Sequence, residues 1–149
     1  MRRVLAGTVL GLILVATPAY AKGPKTHRIA NVAVCPSDWW RGTEAHRIAE
    51  TRELVECEAR LFGVSVPTAL RVCDCESDFR YWLVNRSGCA GYGCFGAFQL
   101  HGRYWPGWMN AYLGYGKGWR KKPLNARSNV VTALKKVNAD GSWSAWSCF

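Results

Sequence analysis

In the stretch Arg71-Val72-Cys73-Asp74-Cys75-Glu76-Ser77-Asp78-Phe79-Arg80, a glutamate closes an apolar run beside a pair of cysteines. Read as the end of a helix, Glu76 shares a face with Ala69, Val72 and Cys73, at offsets of seven, four and three. Its carboxyl therefore continues an apolar stripe at the helix's C-terminal end. Desolvation disfavours the charged form there, and the negative end of the helix dipole adds to the effect. Both raise the pKa and keep the group partly protonated near neutral pH, the state in which it can protonate a leaving oxygen. Glu76 is thus a candidate general acid. The competing reading is a glutamate turned to solvent or paired with Arg80, since charged side chains are mostly exposed.

The elements that must hold Glu76 can be traced on either side of it. From Thr43 or Glu44 to Phe62 the pattern is helical, with Ile48, Val55 and Phe62 repeating every seven residues, Ala45, Ala59 and Leu61 filling the stripe, and Gly63 ending it. Glu44, Glu50, Glu53, Glu56 and Glu58 read as the wet face of this helix. The helix that carries Glu76 starts at Ser65 as cap, with Pro67 in its first turn, and runs toward Ser77. Four glycines and two cysteines between Val84 and Leu100 predict a shaped loop rather than a regular element. A further helix is expected from about Ser128 to Val137, ended by Asn138 to Gly141. No run of alternating strands is evident, so the expected fold class is mainly α with disulfide-stabilised loops.

Residues 1–21 read as a secretory signal peptide: Met1-Arg2-Arg3, an apolar run from Val4 to Pro18, and Ala19-Tyr20-Ala21 as a small-x-small cleavage site. That run is too short to prefer spanning a bilayer, and no cysteine follows Ala21 to take a lipid anchor. Residues 22–43 form a basic lead-in with Pro24, Pro36 and Trp39-Trp40, tied down by Cys35, and residues 44–149 a single domain. The formal charge is +10, or +8 once Arg2 and Arg3 are removed, which draws an exported protein toward polyanions without choosing among them.

Seven cysteines follow the cleavage site. In a small exported chain they predict three disulfides and one remaining thiol, with fifteen pairings open for any chosen six. Zinc held by Cys73, Cys75, Cys89 and Cys94 is the alternative, at a spacing unlike the usual ribbons and fingers. Cys73 and Cys75 lie two apart and face different directions on a helix.

In order along the chain come Glu76-Ser77-Asp78-Phe79, then Asn85 with Ser87-Gly88, Gly96-Ala97-Phe98-Gln99, Ser128-Asn129-Val-Val-Thr-Ala-Leu134, and Trp143-Ser-Ala-Trp146-Ser-Cys148. The first four resemble the soluble lytic transglycosylase group, relatives of goose-type lysozyme, and the last resembles the Trp-containing ends of small actinobacterial wall-lytic domains; the resemblance runs over about Gly63 to Cys148. The chain departs from that pattern by about three extra residues between Ser87 and Gln99, bracketed by Cys89 and Cys94, by Phe98 before the glutamine, and by a longer Pro123-to-Asn129 spacing that leaves Asn125 as an alternative match. A bridge between Cys89 and Cys94 would close the longer loop.

The resemblance implies a lysozyme-like domain that cleaves the N-acetylmuramic acid–N-acetylglucosamine bond of peptidoglycan, with Glu76 as acid and then base. It also implies substrate-binding roles for Ser77, Gln99 and Asn129. The substrate's own N-acetyl group would stabilise the positive centre, an exception to the usual two-carboxylate rule. The residues agree with that economy. After Glu76 only Asp78 and Asp140 are acidic; Asp78 and Asp74 are two positions from Glu76, and Asp140 lies in a polar turn. Among the aromatics after Gln99, Tyr104 and Tyr115 are candidates for stacking on sugar rings. No cofactor or metal, no specific nucleic-acid partner, no membrane anchor and a monomeric state are expected. A hydrolytic goose-type activity, a non-catalytic wall-binding relative and a cationic protein acting through charge remain the alternatives.

Overall fold

The computed structural model describes Cys35, residues 42–113 and residues 122–148. The signal peptide and most of the lead-in expected from the sequence lie outside the described residues, as does Tyr115. Helices α1 (Glu44–Leu61), α2 (Val66–Ser77), α3 (Trp105–Leu113) and α4 (Ala126–Asp140) are accompanied by a three-stranded antiparallel sheet of β1 (Val84–Asn85), β2 (Cys94–Phe95) and β3 (Leu100–His101). The fold is mainly helical, as the sequence predicts. None of the described helices is long and apolar enough to cross a membrane.

Local chemistry accounts for the helix ends. Thr43 Oγ1 accepts the His46 N–H at the start of α1. Pro67 occupies the first turn of α2, where its missing N–H costs nothing; Ser65 precedes it, but its hydroxyl bonds Thr68 rather than a backbone amide. Asn125 caps α4 by accepting the Ser128 N–H, and Gly141 ends it in the left-handed region. That cap starts α4 before Ser128, and the helix runs past Val137 to Asp140. Helix α3 was not expected, because Pro106 and Gly107 break its pattern; the proline sits in the first turn, where it is tolerated. The strands are two residues long, too short to show alternation.

Leu54, Val55 and Ala59 of α1 pack with Ala69, Val72 and Cys73 of α2 and with Val130, Val131 and Leu134 of α4, while Phe98, Leu100, Trp143 and Trp146 close the core. The buried face of α1 differs from the expected stripe: Ala45 and Leu61 are exposed, whereas Thr51 and Glu58 are buried. Thr51 Oγ1 donates to the Arg47 carbonyl, and Glu58 is paired with Arg127 at 3.2 Å. Glu58 is therefore not on a wet face. Its polar partners let charged residues occupy core positions that a hydrophobic pattern cannot reveal.

Three disulfides form, Cys35–Cys57, Cys75–Cys148 and Cys89–Cys94, leaving Cys73 free and buried. They take up Cys75, Cys89 and Cys94, three of the four ligands of the zinc alternative, and close the loop around residues 89–94. Burial pushes the Cys73 thiol far up, which keeps it protonated.

Asn129, fully buried in α4, holds the loop against this scaffold. Its Oδ1 accepts the Phe98 N–H at 2.8 Å, and its Nδ2 donates to the carbonyls of Phe95 and Pro123, each at 2.8 Å. Gly96 lies directly against that amide: its φ is +78°, and a Cβ there would stand 2.2 Å from Asn129 Nδ2 and 2.4 Å from the Pro123 carbonyl oxygen. Gly96→Ala is expected to destabilise the fold by about 2–4 kcal/mol, from overpacking and left-handed strain together. Urea unfolding followed by circular dichroism measures it, and a loss below about 0.5 kcal/mol would show that the clamp yields.

Candidate active site

Helix α2 ends abruptly at Ser77. Asp78 and Phe79 both take left-handed conformations, with φ of 50° and 61°, and the Asp78 N–H returns to the Asp74 carbonyl. Asp tolerates this region, whereas Phe79 is held there by its own burial in the core. The turn leaves Glu76 in the last turn of the helix, at the wall of a cleft of about 350 Å³. Loop residues Asn85, Gly88 and the Cys89–Cys94 bridge face it from one side, Gln99, His101 and Trp108 from another, and Ala145 to Ser147 from a third.

Glu76 is half-buried. Burial raises its pKa above the ordinary carboxylate value, and hydrogen bonds from the backbone of Cys148 and Ser147 oppose that shift without cancelling it. The cross-link explains the donors: Cys75, immediately before Glu76, is bonded to Cys148, so the C-terminal segment is fastened over the carboxyl. Arg80, the competing partner, is turned to Glu44 at 3.5 Å and Asp78 at 3.2 Å. Among the described residues that line the cleft, Glu76 is the sole carboxylate. No group of three or more His, Cys, Asp or Glu side chains there is placed to hold a metal ion, among the described residues.

The remaining candidates divide by place. Gln99 lines the cleft beside Glu76, with φ 41° and its Nε2 donating to the Gly96 carbonyl at 2.8 Å and the Leu83 carbonyl at 3.4 Å. Both amide hydrogens are thus engaged, so Gln99 offers an acceptor oxygen. Ser77 is buried: its hydroxyl donates to the Ala97 carbonyl at 2.7 Å and bolts α2 to the segment that carries Gln99. Asn129 stands behind the same segment, its side chain spent on backbone. Neither Ser77 nor Asn129 lines the cleft. Tyr104 lies outside the lining too, half-exposed and stacked on Trp108 at 5.9 Å.

Three wall elements escape sequence reading. His101 follows Gln99 by two positions, a same-side spacing in extended chain that is a usable signal. Trp108 belongs to the unexpected α3. Ser147 and Cys148 are legible only once Cys75 and Cys148 are known to be bonded. Asp78, Phe79, Cys89, Ala90 and Gln99 take left-handed conformations between α2 and β3, and backbone strain of this kind concentrates at functional sites. Asn85, at the cleft, accepts from the Gly88 N–H and the Ser87 hydroxyl.

No protein-family model, curated protein or solved structure matches the chain.

Because Glu76 has a raised pKa in the folded state, its stabilising contribution is complete below the unfolded pKa and is lost as pH rises through the folded one. Glu76→Gln removes the buried charge while keeping an acceptor for the backbone amides. It is expected to melt above wild type at about pH 7 and to converge with it near about pH 3.5. Thermal melts across that range test the sign, and a variant less stable than wild type at neutral pH would mean that the fold favours the charged carboxylate.

Proposed function

We propose that this protein is a secreted muramidase that cleaves peptidoglycan at the β-1,4 bond between N-acetylmuramic acid and N-acetylglucosamine, as a lytic transglycosylase of lysozyme-like fold. One observation carries the reading: a single carboxyl, raised in pKa by burial, stands in a cleft whose described lining offers no second carboxylate. An inverting or retaining two-carboxylate glycosidase needs a partner group some 5–9.5 Å away, roughly. A substrate that contributes its own N-acetyl oxygen does not.

In the proposed reaction the Glu76 carboxyl gives its proton to the glycosidic oxygen as the C1–O bond breaks and the electron pair leaves on that oxygen. The N-acetyl carbonyl oxygen bonds to C1 and holds the positive charge. Glu76, now a carboxylate, takes the proton of the C6 hydroxyl; the freed oxygen bonds to C1, expels the N-acetyl oxygen and closes a 1,6-anhydro ring. The glutamate ends protonated, ready for another turn. The Ser147 and Cys148 amides stabilise its carboxylate stage, while burial favours the acid stage. Gln99 accepts a hydrogen bond from a substrate N–H or O–H beside the reacting centre. Ser77 and Asn129 act by positioning this wall. The three disulfides suit an oxidising, extracytoplasmic setting.

Glu76→Gln is expected to lower the clearing of purified cell walls by about 10²–10⁴-fold, with the folded state retained. The wild-type rate should fall on the basic side of its profile at a pH above the ordinary carboxylate range, since the acid form is the active one. Mass spectrometry should find muropeptides one water lighter than the hydrolysed forms. Hydrated products would point instead to goose-type hydrolysis, and walls cleared equally by wild type and Glu76→Gln would end the single-glutamate reading.

A further inference from the structure

An unbroken succession of aromatic rings leads out of the cleft. Trp146 and Trp108 lie 6.4 Å apart by ring centroids, Trp108 and Tyr104 5.9 Å, Tyr104 and His101 4.7 Å, and His101 and Tyr92 5.6 Å. Trp146, Trp108 and His101 line the cleft, whereas Tyr104 and Tyr92 are 47 % and 53 % exposed. The Arg103 guanidinium sits between the two tyrosines, 5.6 Å from the Tyr92 ring and 5.7 Å from that of Tyr104. No carboxylate pairs with Arg103 among the described residues.

The track is built on rigid backbone. Tyr92 lies inside the turn closed by Cys89–Cys94. Gly102 packs so closely on this turn that a Cβ would stand 2.0 Å from the Tyr92 carbonyl oxygen, and its N–H donates to the Gly93 carbonyl at 2.7 Å. His101 Nδ1 accepts the Arg103 N–H at 3.2 Å, which ties the ring to the backbone that carries Arg103. Exposed aromatic faces and one cation free of carboxylates are therefore presented together in fixed order.

We propose that this track is an outer binding site for an acidic sugar of the glycan strand, beyond the cleavage point; the proposal rests on the peptidoglycan reading above. Tyr92 and Tyr104 offer faces on which the apolar side of a pyranose can stack. Arg103 stands where a carboxylate carried on that ring, such as the free lactyl carboxylate of a stem-free N-acetylmuramic acid unit, can pair with it. The formal charge, +8 once Arg2 and Arg3 are removed, favours an acidic strand over a neutral one. A strand lacking carboxylates would meet the tyrosines but leave the guanidinium unused, so the site distinguishes stem-free muramic acid glycan from an uncharged N-acetylglucosamine polymer.

The test uses the uncut state. In a Glu76→Gln background, calorimetry compares a stem-free oligosaccharide of alternating N-acetylglucosamine and N-acetylmuramic acid with an equally long N-acetylglucosamine oligomer. Adding Arg103→Gln, a surface change, is expected to weaken the acidic ligand about tenfold and leave the neutral one unchanged. Adding Tyr92→Ala should weaken both. If Arg103→Gln moves neither ligand, or both alike, the outer site is overturned. It is also overturned if neither sugar binds while single-stranded DNA binds in an Arg103-dependent, salt-sensitive way. Selective sugar binding by a protein whose wild type leaves walls intact would uphold the track and remove the cleavage reading. Wall clearing with Arg103-insensitive binding would do the opposite.

Discussion

The chain must keep one carboxyl partly out of water without leaving it unbonded. Burial alone would leave the ionised carboxylate without hydrogen-bond partners, and backbone amides alone would hold it ionised. Here both act on Glu76, and burial is the larger. The abrupt end of α2, the left-handed pair Asp78 and Phe79, and the tail brought over by Cys148 all serve this one arrangement.

The wall opposite depends on α4. Asn129 bonds to the segment on both sides of Gly96, Ser77 bonds to Ala97, and the Trp146 indole donates to the Phe98 carbonyl at 2.8 Å. Three of the four residues from Phe95 to Phe98 are thereby tied to α2, α4 and the C-terminal segment, and Gln99 extends from the last of them. A side chain carried on so constrained a segment loses little freedom when a ligand arrives, which is the advantage of preorganisation. Ser77 and Asn129, singled out by the family resemblance, serve the cleft as structural members of its frame.

What could be read from the letters was what short-range physics governs. The spans of α1 and α2 follow from apolar periodicity with Gly63 and Pro67 as punctuation, and the cleft position of Glu76 from its place on the stripe. The oxidised cysteines and the closed loop at Cys89–Cys94 follow from density and bracketing. What escaped depends on distant partners. Glu58 is buried because Arg127 reaches it across the core; α3 forms despite Pro106 and Gly107 because Met109 and Leu113 find core positions. The donors to Glu76 come from residues more than seventy positions away in sequence, joined to it by the Cys75–Cys148 bond, whose separation is 73.

That bond has a topological effect of its own. It closes a covalent ring containing α3, α4 and the whole strand-bearing loop, as well as Glu76 itself. A single peptide-bond scission anywhere inside the ring opens it into a linear chain but releases no fragment. The nicked molecule keeps both pieces tethered at a high effective concentration, and electrophoresis would separate them only after a reductant has cut the sulfur link.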